Sequence, residues 1–132
     1  MSAITFVLAA GNYLRLANGN LKGEGRVEIF YNGTWGTICD DNWDMNDAHV
    51  VCHELGFSRA LSAPKKARFG AGGGPIWLDE VKCVGTESSL TTCQHRGWNI
   101  HNCDHKEDAS VICLTNLSMT MIFAHPILLF FE

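Results

Sequence analysis

Six cysteines carry the most reactive chemistry in this chain: Cys39, Cys52, Cys83, Cys93, Cys103 and Cys113. As thiolates they would bind a metal or attack an electrophile; as disulfides they would crosslink the fold. No two stand as Cys-x-x-Cys, whereas structural zinc sites bring two ligands close together along the chain. The count is even and the spacing after Cys83 is near-regular, so the pattern reads as a disulfide framework. Such frameworks persist where thiols oxidise, outside the cell or in the secretory pathway. No thiol is then left as a nucleophile, and no Gly-x-Ser-x-Gly elbow is present.

Charge is clustered. The net charge of −4 gives no general pull toward nucleic acid or an anionic membrane. Yet Asp40, Asp41, Asp44 and Asp47 crowd one stretch, and Arg59, Lys65, Lys66 and Arg68 another. Guanidinium and ammonium groups suit sulfate, phosphate and carboxylate. The plainer reading of Arg59–Arg68 is a solvated loop. His49 and His53 stand one helical turn apart, a metal-ligand spacing, but Glu54 is misplaced for a His-Glu-x-x-His protease. His101 and His105 are expected to satisfy local backbone groups. The glycine run Gly70-Ala71-Gly72-Gly73-Gly74-Pro75 lacks the Gly-Lys-Ser/Thr ending of a phosphate-binding loop. Asn32-Gly33-Thr34 and Asn116-Leu117-Ser118 fit the N-glycosylation pattern.

Short elements must position these groups. Leu14–Leu16 alternates as a half-buried strand would, and so does Arg26–Phe30. Asn32-Gly33 between β-rich runs predicts a hairpin pairing Val27–Tyr31 with Thr34–Cys39. Ala48, Val51, Cys52 and Leu55 form one apolar helical stripe. Asp44 or Asn46 would cap its start, Asp47 suits the dipole, and Gly56 would stop it. Cys52 on the buried face needs a partner from the strand layer beneath. A helical turn is expected near Ser88–Cys93, and strands at Ile76–Val81 and Ala109–Cys113. Chain length, 132 residues, fits one domain. The apolar start lacks a positively charged leader, and Leu117–Phe131 is shorter than the ~20 residues of a membrane helix. Residues 1–13 and 115–132 are therefore read as extensions of a domain at 14–114, with a signal remnant or membrane anchor as the alternative.

Blocks in a fixed order resemble the scavenger receptor cysteine-rich domain. They include Gly25-Arg26-Val27-Glu28-Ile29, Gly33-Thr34-Trp35-Gly36-Thr37-Ile38-Cys39-Asp40-Asp41, Val51-Cys52-His53-Glu54-Leu55-Gly56-Phe57 and Gly74-Pro75-Ile76-Trp77-Leu78-Asp79-Glu80-Val81-Lys82-Cys83. Ala67-Arg68-Phe69-Gly70, Gly85–Leu90 and His101–Ala109 continue the match, which spans about Leu14 to Leu114. The resemblance implies an α+β, disulfide-stapled domain: a curved antiparallel β-sheet cradling one main α-helix. It implies the pairs Cys39–Cys103, Cys52–Cys113 and Cys83–Cys93. The extra bridge of eight-cysteine relatives would fall at Gly23 and Phe57, placing this chain in the six-cysteine group. Closing loops of about 60 residues contributes roughly 4 kcal/mol each, and a short loop roughly 3 kcal/mol.

The same resemblance implies weakly bound calcium. Calcium takes six to eight oxygen ligands. A Cys39–Cys103 bond would gather Asp40, Asp41 and Glu107 as a first cation site. A second would use Asp79, Glu80 and Asn102, with Glu80 one methylene longer than the common Asp. The plainer reading is that these acids are solvated or pair with Lys106 and Arg26. The functional expectation is an extracellular, non-catalytic recognition domain. Its ligands would be polyanions such as bacterial surface polymers or sulfated glycans, or extracellular proteins. Nucleic acid is not an expected partner, and a membrane enters only through an anchor or a parent protein. The alternative is a structural protein–protein module of a larger mosaic protein.

Overall fold

Alternating strands and one tight turn organise the sheet. The computed structural model describes residues 13–115; both apolar ends and Asn116 lie outside them. Three strands come first: β1 (Leu14–Ala17), β2 (Glu24–Tyr31) and β3 (Thr34–Ile38). They are followed by helix α1 (Met45–Glu54), then β4 (Ala60–Ser62), β5 (Ile76–Leu78) and β6 (Ser110–Cys113). β2 and β3 form the predicted antiparallel hairpin, with Tyr31 opposite Thr34. Asn32 and Gly33 both take positive φ, 50° and 82°, as a primed two-residue turn requires. The sheet order is β4-β6-β2-β3-β5, and β1 also pairs with β2. Arg26 faces both Ala17 and Ser110, so β2 has neighbours on both edges.

The expected architecture is present, with one refinement. β5 pairs parallel to β3, so the sheet is mixed, and β5 ends at Leu78 because the chain turns there toward Asp79 and Glu80. Glu80 takes φ 51°, outside the strand region. β4 was not anticipated: three residues are too few to show a period.

Helix α1 packs its buried face, Ala48, Val50, Val51 and Cys52, against the sheet's Leu14, Val27, Ile29, Ile38 and Val111. Asp44 caps it, in a reciprocal box with Asp47, which satisfies two otherwise unpaired amides. Leu55 ends it, and Gly56 follows at φ 96°. Three disulfides staple these layers: Cys39–Cys103, Cys52–Cys113 and Cys83–Cys93. They are the pairs the resemblance implies. A Cβ built on Gly23 would stand 3.6 Å from the Phe57 ring. The two positions of the absent bridge are thus neighbours, and an aromatic ring fills the space.

Two loops are anchored against the strands. Tyr31 stacks on Trp98 at 3.7 Å, and both meet Trp77 edge-on. That cluster pins the 95–102 segment to the hairpin. The glycine run crosses near Arg26: Arg26 donates to the Gly70 carbonyl (2.9 Å), and the Gly72 N–H donates to Asp108 (2.7 Å). A Cβ on Gly72 would meet Thr37 at 2.7 Å and Arg26 at 2.9 Å. Glycine is needed here for close approach to side chains.

Candidate functional site

The Cys39–Cys103 bond joins the end of β3 to the segment before β6. Cys39 is buried and bridges to Asp108 across an isolated β contact. Asp40 follows, and its N–H donates to the Glu107 carbonyl at 2.7 Å. These backbone links place Asp41 beside Glu107 from far along the chain. One carboxylate oxygen each from Asp41 and Glu107 lies within 4.8 Å of the other and of both disulfide sulfurs. The sulfurs are bonded to each other and carry no charge, so the ligating atoms here are carboxylates. Among the described residues no basic side chain forms an ion pair with Asp41, Glu80 or Glu107. Arg26 pairs with Glu28 instead (2.9 Å). Burial, then the charges of Asp79, Glu107, Asp40 and Glu80, hold the Asp41 carboxyl above the usual range. Asp41 therefore stands at the centre of the acidic field.

Asp40 takes a different place from the one expected. It is nearly buried, and its Oδ2 accepts the Lys66 N–H at 2.8 Å. That carboxylate holds the basic loop. Lys66 and Ala67 both take positive φ, 58° and 51°, a strained pair for residues with a side chain. Ala67 is fixed by its N–H donating to the Asp108 carbonyl (3.0 Å). Lys65, Lys66 and Arg68 are all exposed on this loop. Arg59 is exposed at the entry to β4 and donates to the adjacent Ala60 carbonyl.

Asp79 is fully buried. Its Oδ2 lies 3.4 Å from the Arg96 guanidinium, and its Oδ1 has no hydrogen-bond partner. Buried carboxylate oxygens are rarely left so, and a bound ion or water is their usual partner. Glu80 is reached by the Asn42 amide at 3.4 Å. Asn102 is exposed, with Oδ1 3.6 Å from the Cys103 sulfur; no hydrogen bond joins it to Asp79 or Glu80 among the described residues. The orphaned, buried Asp79 oxygen is a hard donor of the kind that alkaline-earth ions take. Asn32 stands exposed at the hairpin tip.

Some important residues gave no sequence signal. Asp108 is fully buried, accepting the Gly72 N–H and facing His105 Nδ1 at 3.0 Å. In sequence it ends an ordinary charged run. His105 Nε2 also lies 2.8 Å from the Gly74 carbonyl, a contact that is not local as expected. Asp47 is fully buried rather than simply facing the dipole: its Oδ1 accepts the Cys83 N–H (2.8 Å) and its Oδ2 the Asp44 N–H (2.9 Å).

The sequence profile of the Scavenger receptor cysteine-rich domain matches residues 17–114. The chain belongs to the scavenger receptor cysteine-rich family. It is 56% identical over 100 residues to galectin-3-binding protein of Mus musculus, covering 76% of this chain and 17% of that protein. The third such domain of murine neurotrypsin superposes with a TM-score of 0.71 at 51% identity, covering 76% of this chain and 94% of that one. The corresponding domain of mouse MARCO, solved in a dimeric form, gives 0.65 at 54% identity, over 69% of this chain and 86% of that one. The family is a ligand-recognition and protein-interaction module of larger proteins, and this chain spans under a fifth of the galectin-3-binding relative's length. Among the described residues no helix is long and apolar enough to cross a membrane.

Proposed function

We propose that the chain is an extracellular, non-catalytic recognition domain in which carboxylates hold calcium and the Lys65–Arg68 loop takes the anionic groups of a ligand. The observation that carries this reading is Asp79: a fully buried carboxylate with one unpartnered oxygen, in the electrostatic field that also raises Asp41. Asp41 and Glu107 would hold one ion. Asp79 and Glu80, with Asn102 as the outer donor, would hold a second. Asp40 would act from behind, keeping the basic loop beside the ions through its bond to the Lys66 amide. The ligand class is polyanionic, such as sulfated glycans or bacterial surface polymers. Exposed Asn32 would be the glycan acceptor.

Calcium titration by calorimetry tests the reading. Binding is expected in the ~10⁻⁴–10⁻³ M range of extracellular modules, and Asp41→Ala should abolish at least one site. Unchanged binding in that variant removes the cation assignment. The triple variant Lys65→Ala, Lys66→Ala, Arg68→Ala should lose retention on a sulfated matrix while still binding calcium. A second reading, a protein–protein module within a larger chain, is favoured by the small share of its relatives that the domain spans. It would stand if retention on the matrix were unaffected by the triple variant.

A further inference from the structure

The described histidines divide into two kinds. His95 Nδ1 accepts the Gly97 N–H (3.0 Å), His101 Nδ1 accepts the Cys103 N–H (3.1 Å), and His105 is held at both nitrogens by Asp108 and Gly74. Those three serve local structure. The His49 and His53 side chains on α1 make no hydrogen bond or ion pair among the described residues; each ring has only the other, 6.2 Å away between centroids and tilted by 20°. His53 is exposed and His49 half-buried. Among the described residues, this pair alone presents two uncommitted imidazoles together.

We propose that His49 and His53 form a chelating site for a borderline divalent cation, zinc or copper(II). Residues four apart on a helix are face neighbours, with Cβ atoms about 5–6 Å apart, and helical side chains lean toward the N-terminus, so His53 leans over His49. Metal–nitrogen bonds of about 2 Å require the two rings, now 6.2 Å apart between centroids, to turn so that one nitrogen of each faces a shared ion. Nitrogen donors select zinc and copper over calcium, which takes oxygen. The helix is already rigid. Cys52, between the two histidines, is bonded to Cys113, and the Asp44–Asp47 box fixes the first turn. The second imidazole therefore binds at high effective concentration once the first is engaged. Two protein donors leave the remaining coordination positions to water or to a donor from a bound partner. The site lies outside the carboxylate cluster and uses none of its residues.

The test titrates the full chain with zinc chloride by calorimetry in excess calcium, and records copper(II) paramagnetic resonance in parallel. One equivalent should bind. Either His49→Ala or His53→Ala should weaken it about tenfold or more, and the copper spectrum should lose nitrogen hyperfine structure in the double variant. His101→Ala and Asp41→Ala should keep wild-type zinc affinity. Equal affinity in His53→Ala, no zinc heat in the wild type, or loss of zinc binding in Asp41→Ala would each overturn the assignment. Neither ring carries a structural bond, so circular dichroism of the variants should match the parent. His53→Gln, which keeps a side chain of similar length without an imidazole, gives a second variant with the same expected loss.

Discussion

Asp47 and Asp79 are both sealed from water, and the protein treats them differently. Asp47 sits at the start of α1 with each oxygen taken by a backbone amide, from Cys83 and from Asp44. It ties the helix to the Cys83–Cys93 loop. Asp79 sits past the end of β5 with one oxygen in a long contact to a half-exposed arginine and the other unpartnered. A buried carboxylate with filled hydrogen-bond positions contributes to stability; one left open costs stability until something fills it. The Asp47 end is therefore a lock, and the Asp79 end is the site in the function proposed above. The neighbouring acids do not divide so cleanly: Asp40 and Glu107 each accept one backbone amide, from Lys66 and from Asp104, and Asp41, Glu80 and Glu107 have no basic ion-pair partner among the described residues.

Reduction of the disulfides should have the largest effect, because it removes both ends together. Two of the bridges close loops spanning 64 and 61 residues, worth roughly 4 kcal/mol each by chain entropy. A small domain's net stability is about 5–15 kcal/mol. Full reduction should abolish the near-UV circular dichroism; a reduced sample that retained it would show that the core holds both ends without crosslinks. Next in size is the contrast itself. Asp47→Ala strands the Cys83 and Asp44 amides and should cost about 3 kcal/mol in denaturant unfolding. Asp79→Asn in a chelating buffer should change stability by under about 0.5 kcal/mol, since it removes a buried charge that has little to lose. Calcium should then stabilise the parent more than the Asp79 variant, which keeps only the Asp41–Glu107 pair to bind it. Equal costs for the two substitutions in chelator would erase the distinction between lock and site.

The lock and the site were not equally legible from sequence. Hairpin, helix and terminal strand follow from local signals: Asn32-Gly33, the Ala48–Leu55 stripe, and alternation before Cys113. The cation residues followed from family blocks rather than from spacing, because Asp41 and Glu107 become neighbours only through a disulfide and a backbone bridge. Burial of acids left no trace. Asp47, Asp79 and Asp108 look in sequence like the solvated acids beside them, and their partners are mostly backbone amides far along the chain, such as Cys83 and Gly72. A backbone donor has no letter in a sequence, so the Lys66 N–H on Asp40 Oδ2 could not be read there.

A pH dependence is also expected from the lock. Burial pushes the Asp47 carboxyl up to about 7, opposed by the two amide donors, while the nearby Asp44 charge adds to the rise. An unfolded aspartate titrates near about 3.9, so between these values the folded chain holds a proton that the unfolded chain has released. Stability from this group is then fully present below pH ~4. It declines as pH rises and is lost above about 7. Asp47→Asn cannot titrate and should flatten that part of the profile. The site offers the comparison: Asp79→Asn should keep the Asp47 part of the slope while easing the rise of the Asp41 carboxyl, to which the Asp79 charge contributes after burial. Denaturant unfolding of the three proteins across that window, in chelator, measures the difference directly. A slope that survives Asp47→Asn would assign the titration to another group and leave Asp47 charged in its cage of amides.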